Sequence, residues 1–180
     1  FEKIPVKIYK DVASGSNAVA AQIAQLIKEK QAQGLPCVLG MATGATPILL
    51  YKELVRLHKE EGLSFKNVVT VNLDEYYPIP RDAYQSYWSF MHRHLFNHVD
   101  IDPKNIHLPN AEWSQEELKE KCVAYEQTIE KLGGIDLQIL GIGKNGHIGF
   151  NEPGSSFHSK TRVIHLDQLT RMANVYEWHD

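Results

Sequence analysis

Three short stretches carry residue types that could do chemistry together. The first is GKNGHIGFNEP (143–153), where His147 and Glu152 stand among Gly143, Gly146 and Gly149. Histidine exchanges protons near neutral pH, and a neighbouring carboxylate can orient it and stabilise its charged form. The glycines let such a loop fold tightly over a ligand, although a plain glycine-rich turn with a surface histidine has the same composition. The second stretch is the adjacent pair Asp74 and Glu75, just before YYPIP. One of them could be a base aimed at a ligand; both could also be solvated carboxylates ahead of a turn. Adjacent side chains point in different directions, so only one is expected to face a ligand. The third is ATGATP (42–47). Gly44 permits close backbone approach, Thr43 and Thr46 offer hydroxyls, and a following helix N-terminus would favour an anion such as phosphate. The pattern is neither a Walker loop nor GxGxxG, and an ordinary capped helix start would look similar.

Other residues argue less. His92, His94 and His98 fall on one expected helix, but without an HExxH pattern or a carboxylate ligand nearby they do not read as a zinc site. Tyr84, Tyr87, Trp88 and Phe90 read as packing residues. Arg162 and Arg171 could meet a phosphate, as exposed arginines can anywhere.

The elements that must position these loops follow from periodicity. Apolar residues recur at helical spacing over 16–33 through Val19, Ile23, Leu26 and Ile27, and Gly34 ends the run. PCVLGMA (36–42) and NVVTVNL (67–73) are short and apolar, as buried strands are, and IDLQILGIG (135–143) is the third strand. Thr46 and Pro47 are expected to open a helix running to about Glu60, Thr46 as its cap. Residues 86–98 read as a helix, and Ser114 with Glu117 as a capping box for another reaching Leu132. Strands alternating with helices imply a parallel sheet. In such sheets the loops leaving strand C-termini converge on a ligand crevice, and all three chemistry-bearing stretches are loops of that kind.

Composition narrows the class. The chain has 180 residues, 43% of them hydrophobic and 23% charged, which suits one domain with its own core. A net charge of -3 without a basic patch argues against nucleic acid, and no basic amphipathic helix argues for a membrane surface. No apolar run is long enough to span a bilayer. Cys37 and Cys122 form no CxxC, so a reducing, cytoplasmic setting is expected.

Taken together and in order, LGMATGATPILLYKEL, SFKNVVTVNLDEYYPIP, SYWSFMHRHLFNHVDI and LGIGKNGHIGFNEPGSSFHSKTR resemble the glucosamine-6-phosphate deaminase (isomerase) family, over about residues 36–174. HIGFNEP separates this family from its fold relatives, the 6-phosphogluconolactonases, whose similar loop lacks FNEP. The resemblance implies an α/β fold: a Rossmann-like parallel sheet with helices on both faces, of the deaminase and ribose-5-phosphate isomerase type. It implies conversion of glucosamine 6-phosphate and water to fructose 6-phosphate and ammonia, in the catabolism of N-acetylglucosamine and other amino sugars, without a metal or redox cofactor. Thr43, Gly44, Ala45 and Thr46 match the phosphate loop. Asp74 matches the base that moves the C2 proton to C1. His147 matches the ring-opening residue and Glu152 its supporting carboxylate. Ser155 and Arg162 match positions of an allosteric site. Members are often oligomers, so a homo-oligomer is a further expectation, though no seam is legible.

The chain departs from the pattern at three positions. Asn145 stands where many members have aspartate; it can accept a hydrogen bond from the imidazole but cannot stabilise an imidazolium by charge, so slower ring opening or a larger share for Glu152 is expected. Ile164 replaces a lysine that, beside Arg162, binds the activating N-acetylglucosamine 6-phosphate, so allosteric activation is not expected. Tyr176 replaces a substrate-contacting arginine. Family domains also continue further, including a phosphate-binding lysine, so the sequence is expected to be a single domain incomplete at its C-terminus. The competing readings are a lactonase-type sugar-phosphate hydrolase, which would not need Glu152, and a non-catalytic sugar-phosphate sensor, which would carry a helix-turn-helix not seen here.

Overall fold

The computed structural model describes residues 3–174, so Tyr176 lies outside the described residues. The chain runs α1 (Val12–Ala32), β1 (Cys37–Met41), α2 (Ile48–Glu61), β2 (Val68–Asn72), α3 (Tyr87–His94), β3 (Ile106–His107), α4 (Leu118–Lys131), β4 (Leu137–Gln138) and α5 (Gln168–Asn174), with 3-10 turns at Phe96–His98 and Pro103–Asn105. The four strands are parallel and lie in the order β3-β2-β1-β4. Strand order thus grows outward from β1 through β2 to β3, then jumps back to the other side of β1. Loops leaving β1 and β4 part at that reversal and open a crevice.

Both faces of the sheet are covered. Leu39, Met41 and Val68 pack with Ile23 and Ile27 of α1, Tyr51 and Leu54 of α2, and Met91 of α3. Val38, Val69 and Val71 point the other way, onto Tyr125 and Ile129 of α4. That alternation is the period-two geometry of a strand buried on both sides. Each fully buried side chain of the Ile, Leu or Tyr51 kind contributes roughly 1.5–3 kcal/mol.

Several boundaries differ from those read in the sequence. Helix α1 starts earlier because Asp11 caps it, accepting from Ser14 N–H at 2.7 Å, and its first turn of Val12, Ala13, Ser14 and Gly15 holds a single large apolar residue, too little to show a hydrophobic period. Thr46 does not cap α2: Pro47 takes the cap position with helical backbone and no side-chain acceptor. The helix over 86–98 stops at His94, because Leu95 leaves helical geometry. The capping box is half formed. Glu117 accepts from Ser114 N–H at 3.1 Å and from its hydroxyl at 2.8 Å, and α4 begins after it. Strand β3 carried no apolar run. Strand β4 pairs only at Leu137 and Gln138, is half-buried, and gives way to exposed Leu140 and Ile142.

Candidate active site

The loops after β1, β2 and β4 meet over the crevice and enclose a cavity of about 500 Å³, within the range of small-ligand sites. Its walls include Thr43, Gly44, Ala45, Thr46, Asp74, Tyr87, Gly143, His147 and Gly149. A carboxylate from one crossover and an imidazole from another therefore face one space. Leu73, Asp74 and Phe150 also wall a larger cavity of about 600 Å³, which takes in Arg162, Ile164 and Arg171. The smaller one holds the imidazole and the β1 loop, and is the one where proton transfer next to a bound anion can occur.

The β1 loop is pinned at its start by Tyr51, whose hydroxyl donates to Ala42 C=O and accepts from Ala42 N–H at 3.3 Å. Gly44 then turns with φ +96, a backbone that other residues rarely adopt. Because α2 has no side-chain cap, its first-turn N–H groups keep no side-chain acceptor. Among the described residues lining the cavity there is no lysine or arginine, so this helix end and the threonine hydroxyls are its anion-attracting elements. Thr43 is itself held by a hydrogen bond with the buried phenol of Tyr87.

Asp74 and Glu75 separate in role. The Glu75 carboxylate accepts from the N–H groups of Tyr76 (2.9 Å), Tyr87 (2.9 Å) and Trp88 (3.0 Å), so it caps α3 from a distance. Burial raises its pKa in spite of those donors. Asp74 faces the cavity. Burial, and next the charge of Glu75, push its pKa up to about 7 against the N–H of Phe150 that donates to it. A carboxylate of that basicity is half ionised near neutrality, which suits a general base.

His147 sits on Gly143 so closely that a Cβ there would lie 2.1–2.4 Å from three ring atoms. Its Nδ1 meets Asn145 Oδ1 at 2.7 Å, and Asn145 Nδ2 donates to Glu152 Oε2 at 2.8 Å. Glu152 thus reaches the imidazole through Asn145. Burial raises the Glu152 pKa, but hydrogen bonds from Thr170, Asn145 and Asp167 N–H, with His147 nearby, outweigh it and leave it below the ordinary value. An ionised carboxylate only accepts, so Asn145 turns its nitrogen to Glu152 and its oxygen to the ring. Nδ1 then carries the proton, and Nε2 keeps a lone pair.

The comparisons with known proteins bear on what such a site belongs to. The family model for glucosamine-6-phosphate isomerases/6-phosphogluconolactonase matches residues 10–167. The chain belongs to that family.

Within the family the chain is similar to glucosamine-6-phosphate deaminase of Lysinibacillus sphaericus, 50% identical over 161 residues, covering 89% of this chain and 67% of that protein. It is 49% identical over 170 residues to a glucosamine-6-phosphate deaminase-like protein of Bacteroides thetaiotaomicron, covering 94% of this chain but 26% of that one. The chain thus spans only part of the length of these relatives. Among solved structures, a monomeric glucosamine-6-phosphate deaminase superposes with TM-score 0.91 at 44% identity, over 96% of this chain and 69% of that one. The 6-phosphogluconolactonase of Plasmodium vivax is more distant, at TM-score 0.66, 27% identity, 80% of this chain and 49% of that one.

Other residues read from the family motif lie elsewhere. Arg162 donates to Ser155 Oγ at 3.3 Å and to Asn151 Oδ1 at 3.2 Å, so Arg162 and Ser155 are together but outside the His147 cavity. His92 and His98 are engaged with the backbone carbonyls of Trp88 and Arg93. Among the described residues no His, Cys, Asp and Glu cluster could hold a metal ion, and no helix is long and apolar enough to cross a membrane. Sequence reading missed the capping role of Glu75 and the presence of Thr170, 2% exposed, beside the His147 relay. A threonine three residues into a short helix gives no signal in one sequence.

Proposed function

We propose that the protein carrying this chain is a glucosamine-6-phosphate deaminase, acting in amino-sugar catabolism of the N-acetylglucosamine kind. The observation that carries this reading is the shared cavity: Asp74 and His147 line one space that ends on the uncapped start of α2. The relatives at 44–50% identity that bear this activity's name support it.

The chemistry assigns each group a step. The phosphate binds at Thr43, Gly44, Ala45 and Thr46. His147 Nε2 takes the O1 proton and gives it to O5 as the C1–O5 bond breaks, leaving an open aldehyde. Glu152, through Asn145, steadies the imidazole while it is charged. Asp74 takes the C2 proton to form an enolamine and returns a proton at C1. Water adds to the resulting C2 imine and ammonia leaves, so the sum is an isomerisation coupled to hydrolysis. A base held at contact distance from a C–H acid supplies much of the rate.

A cytoplasmic setting belongs to the same proposal, supported by the free thiols of Cys37 and Cys122. The solved relative is described as monomeric, which supports a monomer over the homo-oligomer expected from the family at large. The test is ammonia release from glucosamine 6-phosphate by the full-length protein, with Asp74→Asn as control. Lactone hydrolysis without ammonia would favour the gluconolactonase side of the family. Binding without turnover would favour a sensor.

A further inference from the structure

In helix α5 the side chain turned fully inward is polar: Thr170 is 2% exposed. A buried hydroxyl requires partners. Its partners are the two ends of the relay described above. Thr170 Oγ1 lies 3.4 Å from His147 Nδ1, and the hydroxyl hydrogen-bonds the Glu152 carboxylate. The backbone around it is fixed for that purpose. Asp167 N–H donates to Glu152 Oε1 at 3.0 Å, the Asp167 carboxylate caps Leu169 N–H at 2.9 Å, and Arg171 N–H closes the first turn on Asp167 C=O at 2.9 Å.

We propose that Thr170 is a positioning residue for ring opening: a second bridge, parallel to Asn145, that holds the His147 imidazole with Nδ1 protonated and Nε2 free. Both bridges have the same polarity. Ionised Glu152 can only accept, so the single hydroxyl proton of Thr170 goes to it. What Thr170 then offers the ring is a lone pair, and only a protonated Nδ1 can use one. Asn145 alone leaves the imidazole one hinge, about which it can tilt. Oxygens of Asn145 and Thr170 flanking the same N–H restrict that tilt, and Gly143 beneath the ring closes the third side. When the ring becomes an imidazolium, Nδ1–H stays shared between neutral oxygens, each already polarised by donation to a carboxylate. Valine at this position has the shape of threonine without the hydroxyl; serine has the hydroxyl without the methyl.

The inference rests on the deaminase reading for its kinetic arm only. In the full-length protein, Thr170→Val is expected to lower kcat for ammonia release about tenfold with KM little changed, and to alter the pH profile. Thr170→Ser is expected to restore most of the rate. Nitrogen-15 NMR of the His147 ring in the wild type is expected to show the Nδ1–H tautomer, and in Thr170→Val a mixture. Wild-type rate and pH profile in Thr170→Val, a Thr170→Ser variant as slow as Thr170→Val, or an Nε2–H tautomer in the wild type would each overturn the proposal. If Thr170→Val does not fold, the serine variant and the wild-type spectrum still decide. If the wild type releases no ammonia, the deaminase reading falls while the NMR arm tests the bridge on its own.

Discussion

Asp74 Oδ2 lies 3.2 Å from the point where a Cβ on Gly149 would stand. The base candidate after β2 and the imidazole-bearing loop after β4 are therefore locked together by backbone, with Phe150 N–H donating to the same carboxylate. Gly149 also has φ +59, where other residues are strained. Gly149→Ala is expected to cost about 1–2 kcal/mol of stability and to cut activity by pushing Asp74 off its position. Denaturant unfolding alongside kinetics would check this; a wild-type rate would mean the two loops can shift without consequence.

Asp74 sets a pH dependence with a definite sign. Its pKa is pushed up to about 7 by burial and by Glu75, above the ~3.9 of an exposed aspartate. A base must be ionised, so kcat/KM is expected to rise with pH through a midpoint near 7. The folded state binds the Asp74 proton where the unfolded chain has released it. Stability from this group is thus full below about pH 4 and falls as pH rises to about 7. Asp74→Asn removes that loss. At pH 8 it is expected to raise Tm by a few degrees, ~2–4 °C for each kcal/mol, while lowering turnover ~10²–10⁴-fold. A stable variant with retained activity would remove Asp74 as the base.

Glu75 tunes that titration from outside the cavity. Glu75→Gln takes away the negative neighbour but not the burial, which is the larger cause. The acidic limb of the pH–rate profile is expected to move to lower pH and to stay above the range of exposed aspartates. Glutamine cannot accept from Tyr76, Tyr87 and Trp88 as a carboxylate does, so stability is expected to drop by about 1–3 kcal/mol. An unmoved limb would mean that burial alone sets the Asp74 pKa.

Asn145→Asp places a second carboxylate 2.8 Å from Glu152, in place of the Nδ2 donor. Two carboxylates that close cannot both ionise, so the pair is expected to hold a proton into the neutral range. The pH–rate profile should gain a second acidic limb. Above it a faster plateau is expected, where the imidazolium can form beside the introduced carboxylate in its charged state. An unchanged rate and profile would show that the bridging group's charge does not govern ring opening.

The amino-acid sequence by itself determined the alternation of strands and helices, the three loops at strand ends, and the residues Asp74, His147 and Glu152 within them. Strand runs such as VVTVN and loop glycines act locally, through backbone preference and apolar periodicity, so they are legible one stretch at a time. Tertiary structure alone decided which of Asp74 and Glu75 faces the cavity, because that depends on where α3 presents its free N–H groups. It alone brought the buried hydroxyl of Thr170 in α5 to the side of His147. Each of these rests on a hydrogen bond made or withheld between distant segments, and such pairings have no period for a single sequence to display.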